Sequence, residues 1–266
     1  MIKKITFSII GFWLIAILLG RAFALNPNDI HLDAILQAPS AQFYLGTDDL
    51  GRDILARLLR GVEVSLFVAC VVTFFTMSLG VLVGLVAGFY GGKVDRLLMQ
   101  ITDIFLAFPG ILLAIAFVAV LGPGINNLVL ALSLTGWVSY ARLTRGQTLS
   151  LRTRQHVLAA ESLGATVPRL MFKHILPLLY SIIVIEATYS IASVMIAEAS
   201  LSFLGLGIQA PQATWGAMLR DSVRYMLVAP HYVLVEGLSL MSVILAINLG
   251  GDALRDNLDV RSAQDA

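Results

Sequence analysis

Apolar residues in this chain fall into six long runs, at about 5–25, 64–89, 97–121, 126–149, 178–206 and 230–249, separated by short polar turns. A helix needs about 20 apolar residues to cross the hydrocarbon core of a bilayer, and each run is near or above that length. The first run follows a short basic start, Met1 to Lys4, which is also the pattern of a signal peptide. Arg21 to Leu25 makes a poor cleavage site, so the run is expected to be an uncleaved first span. The second run carries Gly80, Gly84 and Gly88 at a spacing of four, a stripe on which another helix backbone can come close, within this subunit or from a partner. The third contains Asp103 and the break Pro109-Gly110.

Between the first two runs lies the longest polar segment, 26–61. Within it, Thr47 or Asp48 is placed to cap a helix whose apolar positions Leu50, Ile54, Leu55, Leu58 and Leu59 recur at helical spacing. A separate interfacial helix is therefore expected here. Asp48 and Asp49 are adjacent acids, but no histidine or further carboxylate follows at a ligand spacing.

The polar island 155–177, between the fourth and fifth runs, reads as a short helix, a turn and a second short helix. Good helix formers open it, with Val157, Leu158, Ala159, Ala160 and Leu163 as the apolar side. Gly164 permits a sharp exit, Pro168 suits a first helical turn, and Pro177 marks the return to the membrane. Such an elbow is a knob suited to pushing or being pushed by a partner.

Composition supports the membrane reading: 58% of the 266 residues are hydrophobic and 13% charged, with a mean hydropathy of +0.86. A soluble domain is nearer half apolar and a quarter charged. A net charge of +1 argues against nucleic acid as a partner. The single cysteine, Cys70, excludes an intrachain disulfide framework. No Gly-rich phosphate loop, Ser/His/Asp pattern or His-Glu-x-x-His is present, and the four histidines are scattered, so no catalytic residue and no metal ligand is assigned.

Lysine and arginine give the orientation. Of the 18, twelve fall on the side of both termini and the elbow, and six on the other. Positive charge collects in the cytoplasm, so the termini and the elbow are expected inside.

Four blocks carry a family resemblance. Gly46-Thr47-Asp48-Asp49-Leu50-Gly51-Arg52-Asp53 resembles the signature of the second, or C-type, permeases of dipeptide, oligopeptide and nickel importers. Ala159-Ala160, Gly164 and Ile175-Leu176-Pro177 resemble the EAA loop of ABC importer permeases, with Leu158 where the family has its Glu and Glu161 one turn later. Residues 198–207 and the closing block Gly251 to Asp256, with Asp259 and Arg261, are similar to further family blocks in the same order. The resemblance implies an all-α integral membrane protein of six transmembrane helices with the type I importer permease fold. It implies a division into 1–63 (first span and periplasmic segment), 64–254 (core permease domain) and 255–266 (cytoplasmic tail).

The resemblance further implies a coupling loop that docks into the ATPase, comprising His156, Leu158, Ala159, Ala160, Glu161, Leu163, Gly164, Ala165, Pro168, Arg169, Phe172 and Pro177. The periplasmic signature residues are Gly46, Thr47, Asp48, Gly51, Arg52 and Asp53, and segments 26–61 and 208–229 are expected to meet a binding protein. The implied partners are a second homologous permease, one or two ATPase subunits, an extracytoplasmic solute-binding protein and membrane lipid. No cofactor is bound directly, since ATP and Mg are used by the ATPase subunits. Peptides are the first choice of cargo, with nickel and other small solutes open.

Acids inside apolar runs are the remaining chemistry. A charge at membrane depth costs a few kcal/mol, so it faces a partner or a wet cavity. Glu186, Glu198 and Glu236 are candidates for a translocation path or for packing between helices. The same acids suit a rival reading as proton relays of an ion-driven carrier, although no internal repeat accompanies them. A non-transporting membrane scaffold is the second rival.

Overall fold

A computed structural model describes residues 2–23 and 25–264, with side chains for 6, 8–23 and 25–258. The side chains of Asp259 and Arg261 in the closing block lie outside the described residues. Every regular element among the described residues is helical, and one isolated antiparallel bridge joins Thr47 and Asp53. Its helices are α1 (Ile2–Ala22), α2 (Ile54–Tyr90), α3 (Gly92–Leu106), α4 (Gly110–Leu121), α5 (Ile125–Leu151), α6 (Gln155–Ser162), α7 (Val167–Arg169), α8 (Leu176–Phe203), α9 (Trp215–Val223) and α10 (Pro230–Gln264).

Three helical stretches are long and apolar enough to cross a membrane alone: Ile54–Tyr90, Val167–Phe203 and Pro230–Leu258. The expected third span is α3 followed by α4, and the two meet at a bend of 81°. Pro109 causes the break, because it lacks an N–H and biases Phe108 away from helix. The two remaining runs coincide with α1, whose apolar part is Ser8–Ala22, and with α5, which is long but diluted by polar residues.

The expected separate interfacial helix after Asp48 does not form. Residues 46–53 are a folded loop, and α2 starts at Ile54 and continues for 37 residues across the expected division at 63–64. Its cap is Asp53, whose carboxylate accepts from the Leu55 N–H at 2.8 Å, and not Thr47 or Asp48. Those two side chains are engaged elsewhere in the loop.

The centre of the bundle is α2 laid along α5, and the glycine stripe explains the approach. A Cβ on Gly80 would lie 2.3 Å from the Trp137 carbonyl oxygen, on Gly84 2.4 Å from that of Ala141, and on Gly88 2.7 Å from Thr148 Cβ. The stripe is thus filled by a helix of the same chain. Gly84→Ala is expected to destabilise the protein by about 1–3 kcal/mol through overpacking against backbone, read as a lower unfolding temperature in detergent.

At the end of α2 away from the elbow, segment 208–229 folds in part into α9, a largely buried helix. Trp215 is fully enclosed, donates to the Leu58 carbonyl at 3.0 Å, and rests against Gly61 and edge-on to Trp13. Segment 208–229 therefore has only part of its surface free for a partner, including its exposed end at Met226, Leu227 and Val228.

Candidate functional site

The elbow is built from α6, a turn at 163–166, α7 and a π-helical turn at Leu170–Ile175 that runs directly into α8. The expected second short helix is thus the beginning of one stretch from Val167 to Phe203, with Pro168 in its first turn. Gly164 stands at φ +83°, where an L side chain is strained. Its N–H donates to the Glu161 carbonyl at 2.9 Å, and the Ala165 N–H donates to the Ala160 carbonyl at 3.0 Å. This pair of bonds is a Schellman motif, which ends α6 and satisfies its last carbonyls.

Burial divides the elbow into anchor and knob. Val157, Leu170, Met171 and Ile175 are buried with Phe89 at the end of α2 and Leu151 at the end of α5. Val157 is the one residue of the expected apolar side of α6 that is fully buried. Leu158 is 47% exposed, Leu163 89% and Phe172 48%, and His156, Ala159, Glu161, Gly164, Pro168, Arg169 and Pro177 are exposed too. Ala160 and Ala165 are half-buried. Large apolar side chains on a polar protrusion are the anatomy of a docking surface.

The signature 46–53 lies at the other end of α2, about 55 Å away for a 37-residue helix at 1.5 Å per residue. Asp48 is completely buried and organises the loop. Its Oδ1 accepts from the N–H groups of Leu50 and Arg52, both at 2.9 Å, and its Oδ2 accepts from Arg52 Nε at 2.7 Å. Arg57 Nε lies 3.2 Å from the same oxygen. Thr47 donates to the Ala34 carbonyl and accepts from the Gln37 N–H at 2.9 Å. Gly46 and Gly51 have φ of +83° and +74°, and a Cβ on Gly51 would overlap the His31 carbonyl oxygen. Burial and the neighbouring Asp48 carboxylate push Asp49 up from its ordinary value. The signature is therefore an internal lock: Gly46, Thr47, Asp48, Gly51 and Arg52 are buried, and Asp53 is half-buried at the cap.

The three intramembrane glutamates stand in three different surroundings. Glu198 is sealed between α2 and α8, accepting from Ser65 and Ser202 hydroxyls, each at 2.8 Å. Glu236 on α10 is fully buried, and neither of its carboxylate oxygens has a hydrogen-bond partner. Glu186 lines a cavity of about 250 Å³ between α4, α5 and α8. Asp103 pairs instead with Arg142, and Asp95 with Arg145, tying α3 to α5.

The hydroxyl groups around Glu186 were not singled out from the sequence, although a signal exists: Glu186, Ser190 and Ser193 follow the i, i+4, i+7 spacing of one helix face. Arg57 was also missed as a member of the Asp48 lock, because a single arginine in an amphipathic pattern reads as a solvated one.

Comparison with known proteins gives consistent results. Residues 80–263 match the family described as "Binding-protein-dependent transport system inner membrane component". The chain is 44% identical over 232 residues to the glutathione transport system permease protein GsiD of Pectobacterium atrosepticum, covering 87% of this chain and 77% of that protein. It is 40% identical over 264 residues to the dipeptide transport system permease protein DppC of Alkalihalophilus pseudofirmus, covering 97% and 87%. Its fold is similar to a chain of the inward-facing MetNI methionine ABC transporter, with a TM-score of 0.61 and 21% identity over 75% of this chain and 95% of that one.

Proposed function

Because the chain belongs to the family of binding-protein-dependent transport system inner membrane components, we propose that it forms half of the translocation path of an ATP-driven importer of peptides. The observation that carries the mechanism is the elbow. An exposed apolar knob is anchored on the ends of α2 and α5 and is continuous with α8. A push on it is delivered to three long helices, one of which ends 37 residues away in the Asp48 lock.

In this reading the ATPase subunits grip residues 155–177 from the cytoplasm, where both termini also lie. ATP and Mg stay with those subunits, and this chain works as a non-catalytic translocation subunit beside a second permease. The 64–254 region acts as the moving core, 1–63 supplies the first span and the periplasmic segment, the outer segments 26–61 and 208–229 meet the solute-binding protein, and 255–266 is the cytoplasmic tail. ATP shifts the equilibrium between inward- and outward-open forms only because the ATPase pair fits the two elbow positions differently. Glutathione and dipeptide relatives make small peptides the favoured cargo.

Leu163, as the most exposed large residue of the knob, tests the docking surface. Fully burying a leucine contributes about 1.5–3 kcal/mol. Leu163→Asp is therefore expected to weaken capture of the ATPase subunit by at least tenfold in a detergent pull-down, with normal amounts of the permease itself. Undiminished capture would remove the knob from the interface.

A further inference from the structure

The cavity beside Glu186 has a one-sided chemistry. Thr135, Ser139 and Tyr140 of α5 face Glu186, Ser190 and Ser193 of α8, and no lysine or arginine lines it among the described residues. The Tyr140 side chain is buried, and its hydroxyl has no hydrogen-bond partner. The lining therefore offers one carboxylate and a collar of hydroxyl oxygens, all able to accept. The cavity sits halfway along α5 and α8, at the depth where an uncompensated carboxylate is costly.

We propose that this cavity is a cation subsite that takes the free amino end of the passing peptide, with Glu186 as its counter-charge. The inference rests on the peptide-importer reading above. An ammonium brings one positive charge and three N–H donors, which match a carboxylate ringed by hydroxyl acceptors. A peptide carboxylate would meet Glu186 with like charge and find no basic side chain. This half of the path thus handles the amino end of the cargo, and the carboxyl end is met outside this cavity. Glu198 and Glu236 cannot serve in the same way: the first is occupied by two serines, and neither lines this cavity.

The test uses the complete importer in lipid vesicles, with its partner permease, ATPase subunits and saturating binding protein. Uptake of a free-amine dipeptide and of its N-acetyl counterpart is compared for the wild type, Glu186→Gln and Glu186→Asp. The binding protein is common to all three, so a change in the ratio of the two uptakes reports on the permease. Glu186→Gln is expected to lower uptake of the free-amine peptide about tenfold, as for the loss of one charge-assisted hydrogen bond, and to leave the N-acetyl peptide at its wild-type rate. Glu186→Asp is expected to restore most of the difference, and ATP hydrolysis stimulated by the loaded binding protein should persist in both variants. Equal loss for both peptides, loss of Glu186→Gln accumulation in the membrane, or uptake unchanged by Glu186→Gln would each overturn the subsite. A wild-type importer that moves neither peptide would instead refute the peptide reading, and the subsite with it.

Discussion

Gly164→Pro is expected to leave the permease in the membrane in normal amounts while abolishing the stimulation of ATP hydrolysis by loaded binding protein. The residue stands at φ +83° and its N–H donates to the Glu161 carbonyl. Proline fixes φ near −65° and has no N–H, so it removes both the turn and the bond. No atom lies within 4 Å of where a Cβ would stand, so crowding is not the cause. The anchors Val157, Leu170, Met171 and Ile175 lie on either side of the turn and keep their burial. The knob is thus re-aimed without unfolding the bundle. Gly164→Ala should fall between, since the left-handed conformation costs an ordinary residue about 1–2 kcal/mol. Coupling measured at the wild-type level in the proline variant would show that force does not pass through this turn.

Asp48→Ala is expected to be the most destabilising single change at the outer end. It removes the acid shared by Arg52 and Arg57, which are only 7% and 4% exposed, leaving Arg52 just Asp49 at 3.7 Å, together with the acceptor for two backbone N–H groups. Breaking a buried pair by deleting one partner costs about 3–5 kcal/mol, because a charge is left behind without compensation. For a chain of this size that corresponds to a fall of roughly 10 °C in the unfolding midpoint. Asp48→Asn keeps an acceptor for the loop and should lose less. Adding Arg57→Met to Asp48→Asn should recover part of the loss, since the arginine charge then no longer needs a partner. An unchanged midpoint for Asp48→Ala would mean that the two arginines reach water or another acid.

Much of this architecture was legible along the chain, and the elbow is the clearest case. Gly164 and Pro168 announce a turn and a helix start through their own backbone limits, which act wherever those residues stand. The third span shows how far such local reasoning reaches. Pro109-Gly110 marks a break, but the 81° between α3 and α4 depends on what each half packs against. The outer loop shows the opposite failure. Leu50, Ile54 and Leu58 repeat at helical spacing, yet helix begins only at Ile54, because Asp48 spends its side chain on Arg52 and the loop backbone.

The apolar runs, the side that collects basic charge, the turns and the family are all readable along the chain. All of these depend on residue type and spacing. Helix packing, by contrast, sets α5 on the glycine stripe of α2, encloses Trp215, and leaves Glu186 beside a cavity while Glu198 accepts from two serines. This divide follows because lipid is as apolar as a protein core. A span that is apolar all round therefore carries no mark of which face turns inward, and the partner of each buried group is settled only when the helices pack.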